Sequence, residues 1–181
     1  MADTRVLILV GSLRADSLNR RIAEKLQELA PSGVEIEIAE NLHELPFYNE
    51  DLDGENVPAT AAALRDRVVA ADRVLAVTPE YNGTMPAVLN NAIDWLSRPY
   101  GVGAIKGKPF GVIGATPTPY GGKWAHQDTV RSAGIAGAVV VEDVTVSQSA
   151  LEVDVLTDPE VLDRLVAAVR TLAEYTEEAA A

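Results

Sequence analysis

Val6-Leu7-Ile8-Leu9-Val10-Gly11-Ser12-Leu13-Arg14-Ala15-Asp16-Ser17-Leu18-Asn19 is the stretch on which the reading of this chain turns. Five apolar residues in a row suit a strand buried on both faces. Gly11 closes the run, and a loop of hydroxyls and one arginine follows. Leu18, Ile22, Leu26 and Leu29 then recur at helical spacing, and Ser17 stands where an N-cap belongs, so a helix over Ser17–Ala30 is expected. Strand, polar loop and helix together make the opening of a βα unit.

The same alternation continues along the chain. Strands are expected at Arg5–Val10, Val34–Ala39, Arg73–Thr78, Phe110–Ala115 and Ala138–Val146. Helices are expected at Ser17–Ala30, Ala59–Ala71, Pro86–Ser97, Gly122–Ala136 and Pro159–Glu174, with Pro86 and Pro159 in the first turn, where proline is tolerated. Five successive βα units imply an α/β fold: a doubly wound, five-stranded parallel sheet between two helix layers, an αβα sandwich. The second strand alternates polar and apolar residues and so belongs at an edge, which favours the flavodoxin-like strand order 2-1-3-4-5. In such sheets a ligand sits beyond the carboxyl ends of strands 1 and 3, where the strand order reverses. That rule nominates the loops Gly11–Asn19 and Thr78–Met85. Asn41–Pro58 is left as an acidic, irregular connection suited to a lid or a partner surface.

The chain's 181 residues fit one domain, residues 1–181, and only a short Glu/Ala tail is low in complexity. Without cysteine, disulfides, thiolate metal sites and a cysteine nucleophile are excluded, and two histidines are too few for a histidine metal centre. No apolar run near the N-terminus is long enough for a signal or a membrane span, so a soluble cytoplasmic protein is expected. A net charge of −12 opposes nucleic acid and anionic membrane as partners. The charge is uneven: residues 31–60 carry eight acidic groups and no Lys or Arg, whereas residues 1–30 carry five basic groups against four acidic. The opening loop therefore suits a small anion better than a polymer.

That loop lacks both the G-x-x-x-x-G-K-[ST] pattern and the G-x-G-x-x-G pattern, so neither ATP nor a Rossmann pyrophosphate is supported. Ser12, Ser17 and Asn19 as neutral donors, Arg14 as a cation and the amides of a helix N-terminus would hold a phosphate monoester. Equally open from the residues alone is a Ser17 that only caps the helix and an Arg14 that is a solvated charge. The second loop, Pro79-Glu80-Tyr81-Asn82-Gly83, is stiffened by proline and offers Tyr81 to stack on a ring. Glu80 reads as a capping or solvated carboxylate rather than an acid or base. Trp124 reads as a packing residue in preference to one that stacks on a cofactor, His43 and His126 as structural or surface groups, and Trp95 and Ile93 as core or dimer interface.

Gly11-Ser-Leu-Arg-x-x-Ser-x-Asn19 and Pro79-Glu-Tyr-Asn82, followed by Asn91-Ala-Ile-Asp-Trp-Leu-Ser-Arg98, resemble the NAD(P)H-dependent FMN reductase family of flavodoxin-like quinone, azo-dye and chromate reductases. Leu45-Pro46-Phe47-Tyr48-Asn49-Glu50-Asp51 also matches, and the resemblance spans roughly residues 4–150. It implies that Ser12, Arg14, Ser17, Leu18 and Asn19 enclose the FMN phosphate and that Pro79, Glu80, Tyr81, Asn82 and Gly83 line the isoalloxazine. A third contact is implied after strand 4, where Thr116 replaces a serine donor and Thr118 stands at an expected glycine. NADPH or NADH would supply hydride, and a small-molecule acceptor (quinone-like, azo, metal-oxyanion or free flavin) would take two electrons. No side chain is expected to be catalytic, because hydride passes at the flavin N5. A homodimer or dimer of dimers is also implied. Two rival functions fit parts of the sequence: a flavodoxin-type electron carrier, which the acidic stretch would suit, and an FMN-free binding module on the same fold.

Overall fold

The computed structural model describes residues 3–176, and the Glu/Ala tail lies outside the described residues. Five strands, β1 (Thr4–Val10), β2 (Val34–Ile38), β3 (Arg73–Val77), β4 (Pro109–Thr116) and β5 (Val139–Ser149), form one parallel sheet in the order β2-β1-β3-β4-β5. Between and after them run α1 (Leu18–Glu28), α2 (Ala59–Ala70), α3 (Ala87–Leu96), α4 (Lys123–Ile135) and α5 (Pro159–Glu174). The expected order and the edge position of β2 are both present. In β2, Ile36 and Ile38 point inward while Glu35 and Glu37 stay exposed.

The pleat divides the core in two. Val6, Ile8 and Val10 of β1, with Leu75 and Val77 of β3, pack under α1 and α5. Leu7 and Leu9, with Val74, Ala76, Phe110 and Val112, pack under α2, α3 and α4. This burial of both faces is why β1 is a continuous apolar run rather than an alternating one. The Ser17 Oγ accepts from the amide of Arg20 at 3.1 Å, and Asp158 does the same for Val161 at 3.0 Å, fixing where α1 and α5 begin.

Two features differ from the sequence reading. β5 runs three residues past its apolar stretch, because Ser147, Gln148 and Ser149 pair with Gly114, Ala115 and Thr116. A ladder needs only backbone groups, so polar side chains leave no periodic trace of it. The Asn41–Pro58 connection is anchored to the helices rather than loose. Asp53 and Arg65 form a bidentate pair at 2.8 and 3.0 Å, Tyr48 meets Trp95 edge-on at 5.0 Å, and the Trp95 indole N–H donates to the Pro46 carbonyl at 2.8 Å. The Arg65 guanidinium holds the Asp53 carboxyl below its ordinary range. Trp95 is fully buried, so it is core.

Candidate functional site

The loops that follow β1, β3 and β4 converge at the carboxyl end of the sheet. The first leaves β1 at Gly11, whose amide donates to the Val77 carbonyl at 2.9 Å. Arg14 is exposed and takes part in none of the ion pairs among the described residues. Ser12 and Arg14 border a cavity of about 310 Å³ that opens toward β2 and is walled by Arg20 and Glu40. Arg20 grips the Glu40 carboxylate at 2.7 and 3.1 Å, which pulls that carboxyl below its ordinary range. Ser17 is buried and accepts one hydrogen bond, so its own hydroxyl proton remains free to donate. The amides of Leu18 and Asn19, in the first turn of α1, have no acceptor among the described residues.

Asn19 has a structural task of its own. Its side-chain amide donates to the Ala115 carbonyl at 2.9 Å, and its side-chain oxygen accepts from the Ala115 amide at 3.0 Å. The side chain is therefore a clamp between α1 and β4, with one N–H of its amide engaged and the second without an acceptor among the described residues. The donors left around the loop include the Ser12 and Ser17 hydroxyls, two helix amides and an unpaired guanidinium. That set fits a phosphate monoester and falls short of the metal-assisted cradle of a triphosphate.

The second loop is a two-residue hairpin. Tyr81 and Thr84 exchange backbone hydrogen bonds of 3.1 Å in both directions, and Asn82 and Gly83 take φ of 55° and 74°. Two successive positive φ values define a type I′ turn, for which Asn-Gly is the favoured pair. Pro79 and Glu80 are half-buried, and Tyr81, Asn82 and Gly83 are exposed. The Glu80 Oε2 accepts from the amides of both Trp124 and Ala125 at 3.0 Å, so its carboxylate caps α4, and Thr84 hydrogen-bonds the Asp128 carboxylate.

In the third loop Thr116 is buried, and its hydroxyl pairs with that of Thr118 at 2.9 Å. Behind it lies His126, with no exposed surface: Nε2 is 3.1 Å from the Thr78 carbonyl and Nδ1 is 2.7 Å from the Ser147 Oγ. A carbonyl only accepts, so Nε2 carries the proton and Nδ1 accepts from the serine. Burial keeps the imidazole pKa below its ordinary value. Gly114 lies where these anchors meet. A Cβ there would strike the Thr78 carbonyl and come within 2.9 Å of both the Asn19 Oδ1 and the His126 Nε2. Sequence reading left His126 between core and surface; no local signal could reveal partners 48 and 21 residues away. Trp124 is not core: it is 45% exposed and stacks on Tyr120 at 4.6 Å.

Comparison with known proteins shows the family. Residues 4–151 match the family described as NADPH-dependent FMN reductase. A quinone reductase of Pseudomonas putida is 49% identical over 127 residues, covering 70% of this chain and 68% of its own. A 2-hydroxy-1,4-benzoquinone reductase of a Burkholderia species is 43% identical over 112 residues, 62% of this chain and 60% of its own. Among solved structures, the flavoenzyme NAD(P)H:(acceptor) oxidoreductase FerB of Paracoccus denitrificans superposes with a TM-score of 0.85 at 34% identity, covering 97% of this chain and 98% of its own. The protein is an oxidoreductase whose cofactors are FMN and NAD(P)H; the chain belongs to the NADPH-dependent FMN reductase family.

Proposed function

We propose that the chain is an FMN-dependent NAD(P)H oxidoreductase that delivers two electrons to a small-molecule acceptor. The acceptor classes are quinone-like rings, azo compounds, metal oxyanions and free flavin. The observation that carries this reading is the convergence of an anion-ready loop and a stiff hairpin at the strand-order reversal, in a chain similar to quinone reductases. Bound FMN supplies the hydride-accepting ring. Ser12, Arg14, Ser17 and the Leu18 and Asn19 amides hold the phosphate. Pro79, Glu80, Tyr81, Asn82 and Gly83 would line the ring, and Thr116 would add a contact from the third loop. Glu80 acts through α4, since its carboxylate is engaged with two amides. The chain works as one domain, in the cytoplasm, as a homodimer or dimer of dimers.

Anaerobic titration of the FMN-loaded protein with NADPH and NADH in parallel tests the reading. Bleaching of the flavin by either, followed by recovery on adding a quinone, is the expected result. A flavin that neither nucleotide bleaches rejects it. Arg14→Ala should weaken FMN binding by about ten- to a hundredfold, the worth of one charged hydrogen bond.

A further inference from the structure

Two aromatic rings stand exposed beside the hairpin and take no part in the core. Tyr120 is 57% exposed and Trp124 45%, with centroids 4.6 Å apart and planes inclined at 52°. Exposed aromatics normally gain nothing from water, and a pair of neighbouring rings on the surface offers an apolar face to another ring. The pair is held in place. Gly121 and Gly122, with φ of 61° and 91°, reverse the chain so that Tyr120 folds back onto Trp124. Glu80 fixes the Trp124 amide, and the Thr84–Asp128 hydrogen bond ties the other leg of the hairpin to α4. Tyr81, also 46% exposed, lies in the hairpin that these contacts tie to α4.

We infer that Tyr120 and Trp124 form a ring-binding wall that selects electron-poor planar acceptors, quinones above all, over acceptors without a ring. The inference rests on the proposed placement of the flavin over the second and third loops. Tyr and Trp present electron-rich faces, and a quinone ring, depleted by two carbonyls, is the complementary partner. Neither side chain is charged, so the wall gives no corresponding advantage to an inorganic oxyanion. Both are specificity residues rather than catalytic ones.

The test uses the FMN-loaded protein with two acceptors, 2-methyl-1,4-naphthoquinone and ferricyanide. Trp124→Ala keeps the backbone amide that Glu80 caps, so α4 keeps its start. The ratio of kcat/KM for the quinone to that for ferricyanide should fall about three- to tenfold, carried by KM. Trp124→Phe should recover most of it. Binding is read separately, without reductant, from tryptophan emission. Trp95 is buried and bonded to Pro46, so quinone contact reports on Trp124. Saturable quenching that disappears in Trp124→Phe supports the wall. Strictly linear quenching, an unchanged acceptor ratio, or a rise in KM for NAD(P)H instead of the quinone overturns it. A parent protein that oxidises NAD(P)H with neither acceptor fails at the reductase reading itself. A parent active with both, whose variant keeps the ratio, fails only here.

Discussion

His126 shows how one buried side chain links stability to pH. Its imidazole is neutral in the fold and its pKa is depressed, chiefly because burial disfavours the charged form. Above the ordinary value of about 6.5, folded and unfolded chains bind the same number of protons at this group. Below it the unfolded chain takes up a proton that the folded chain resists, so stability is lost as pH falls toward the folded pKa. The loss approaches about 1.4 kcal/mol per pH unit within that window. His126→Gln keeps a donor and an acceptor but cannot titrate. Thermal melts from pH 8 to 5 should therefore show a shallower acid-side decline in the variant than in the parent.

At the scale of elements, the three loops are fixed by neighbours and not by their own turns alone. α4 begins at Lys123 after a glycine N-cap that offers no side chain, and Glu80 supplies the missing acceptor from another loop. Glu80→Ala should cost about 1 kcal/mol, a fall in Tm of about 2–4 °C, seen in thermal melts of the FMN-free protein. Glu80→Gln, which retains an acceptor oxygen but not the charge facing the helix amides, should recover part of it. The elements themselves were legible because their signals are local. β1 is an unbroken apolar run, β2 alternates, and α1 and α5 carry their caps in the sequence. The carboxyl end of β5 was not, since Ser147–Ser149 joins the sheet only where β4 is already present. Asn19 illustrates the same limit at the site. Its position in the loop was readable, but its attachment to Ala115, 96 residues away, depends on the finished sheet.

Across the whole molecule, the strand order followed from topology and resemblance, and the rest came from packing between distant segments. The acidic connection after β2 reads as loose by composition, yet Asp53, Tyr48 and Pro46 bind it to α2 and α3. Charge patterning alone could not separate a pinned strap from a mobile one. If the chain assembles as proposed, light scattering of the FMN-loaded protein should give at least twice the chain mass, independent of added DNA at physiological salt. A mass equal to one chain would reject the dimer and leave the reductase reading to its own test.

Gly114 has a consequence for how this architecture can be altered. The loop tips at Ser12–Asp16, Asn82–Thr84 and Pro117–Tyr120 lie outside the contacts that gather around it, whereas Asn19, Thr78 and His126 all crowd its missing side chain. An exchange at a tip therefore acts through that tip's own partners, such as Asp128 for Thr84 or Trp124 for Tyr120. One methyl group at Gly114 has no such privacy: it would press on all three anchors together. A single methyl group, placed near the carboxyl end of β4, would act on the three loops as one mechanical unit.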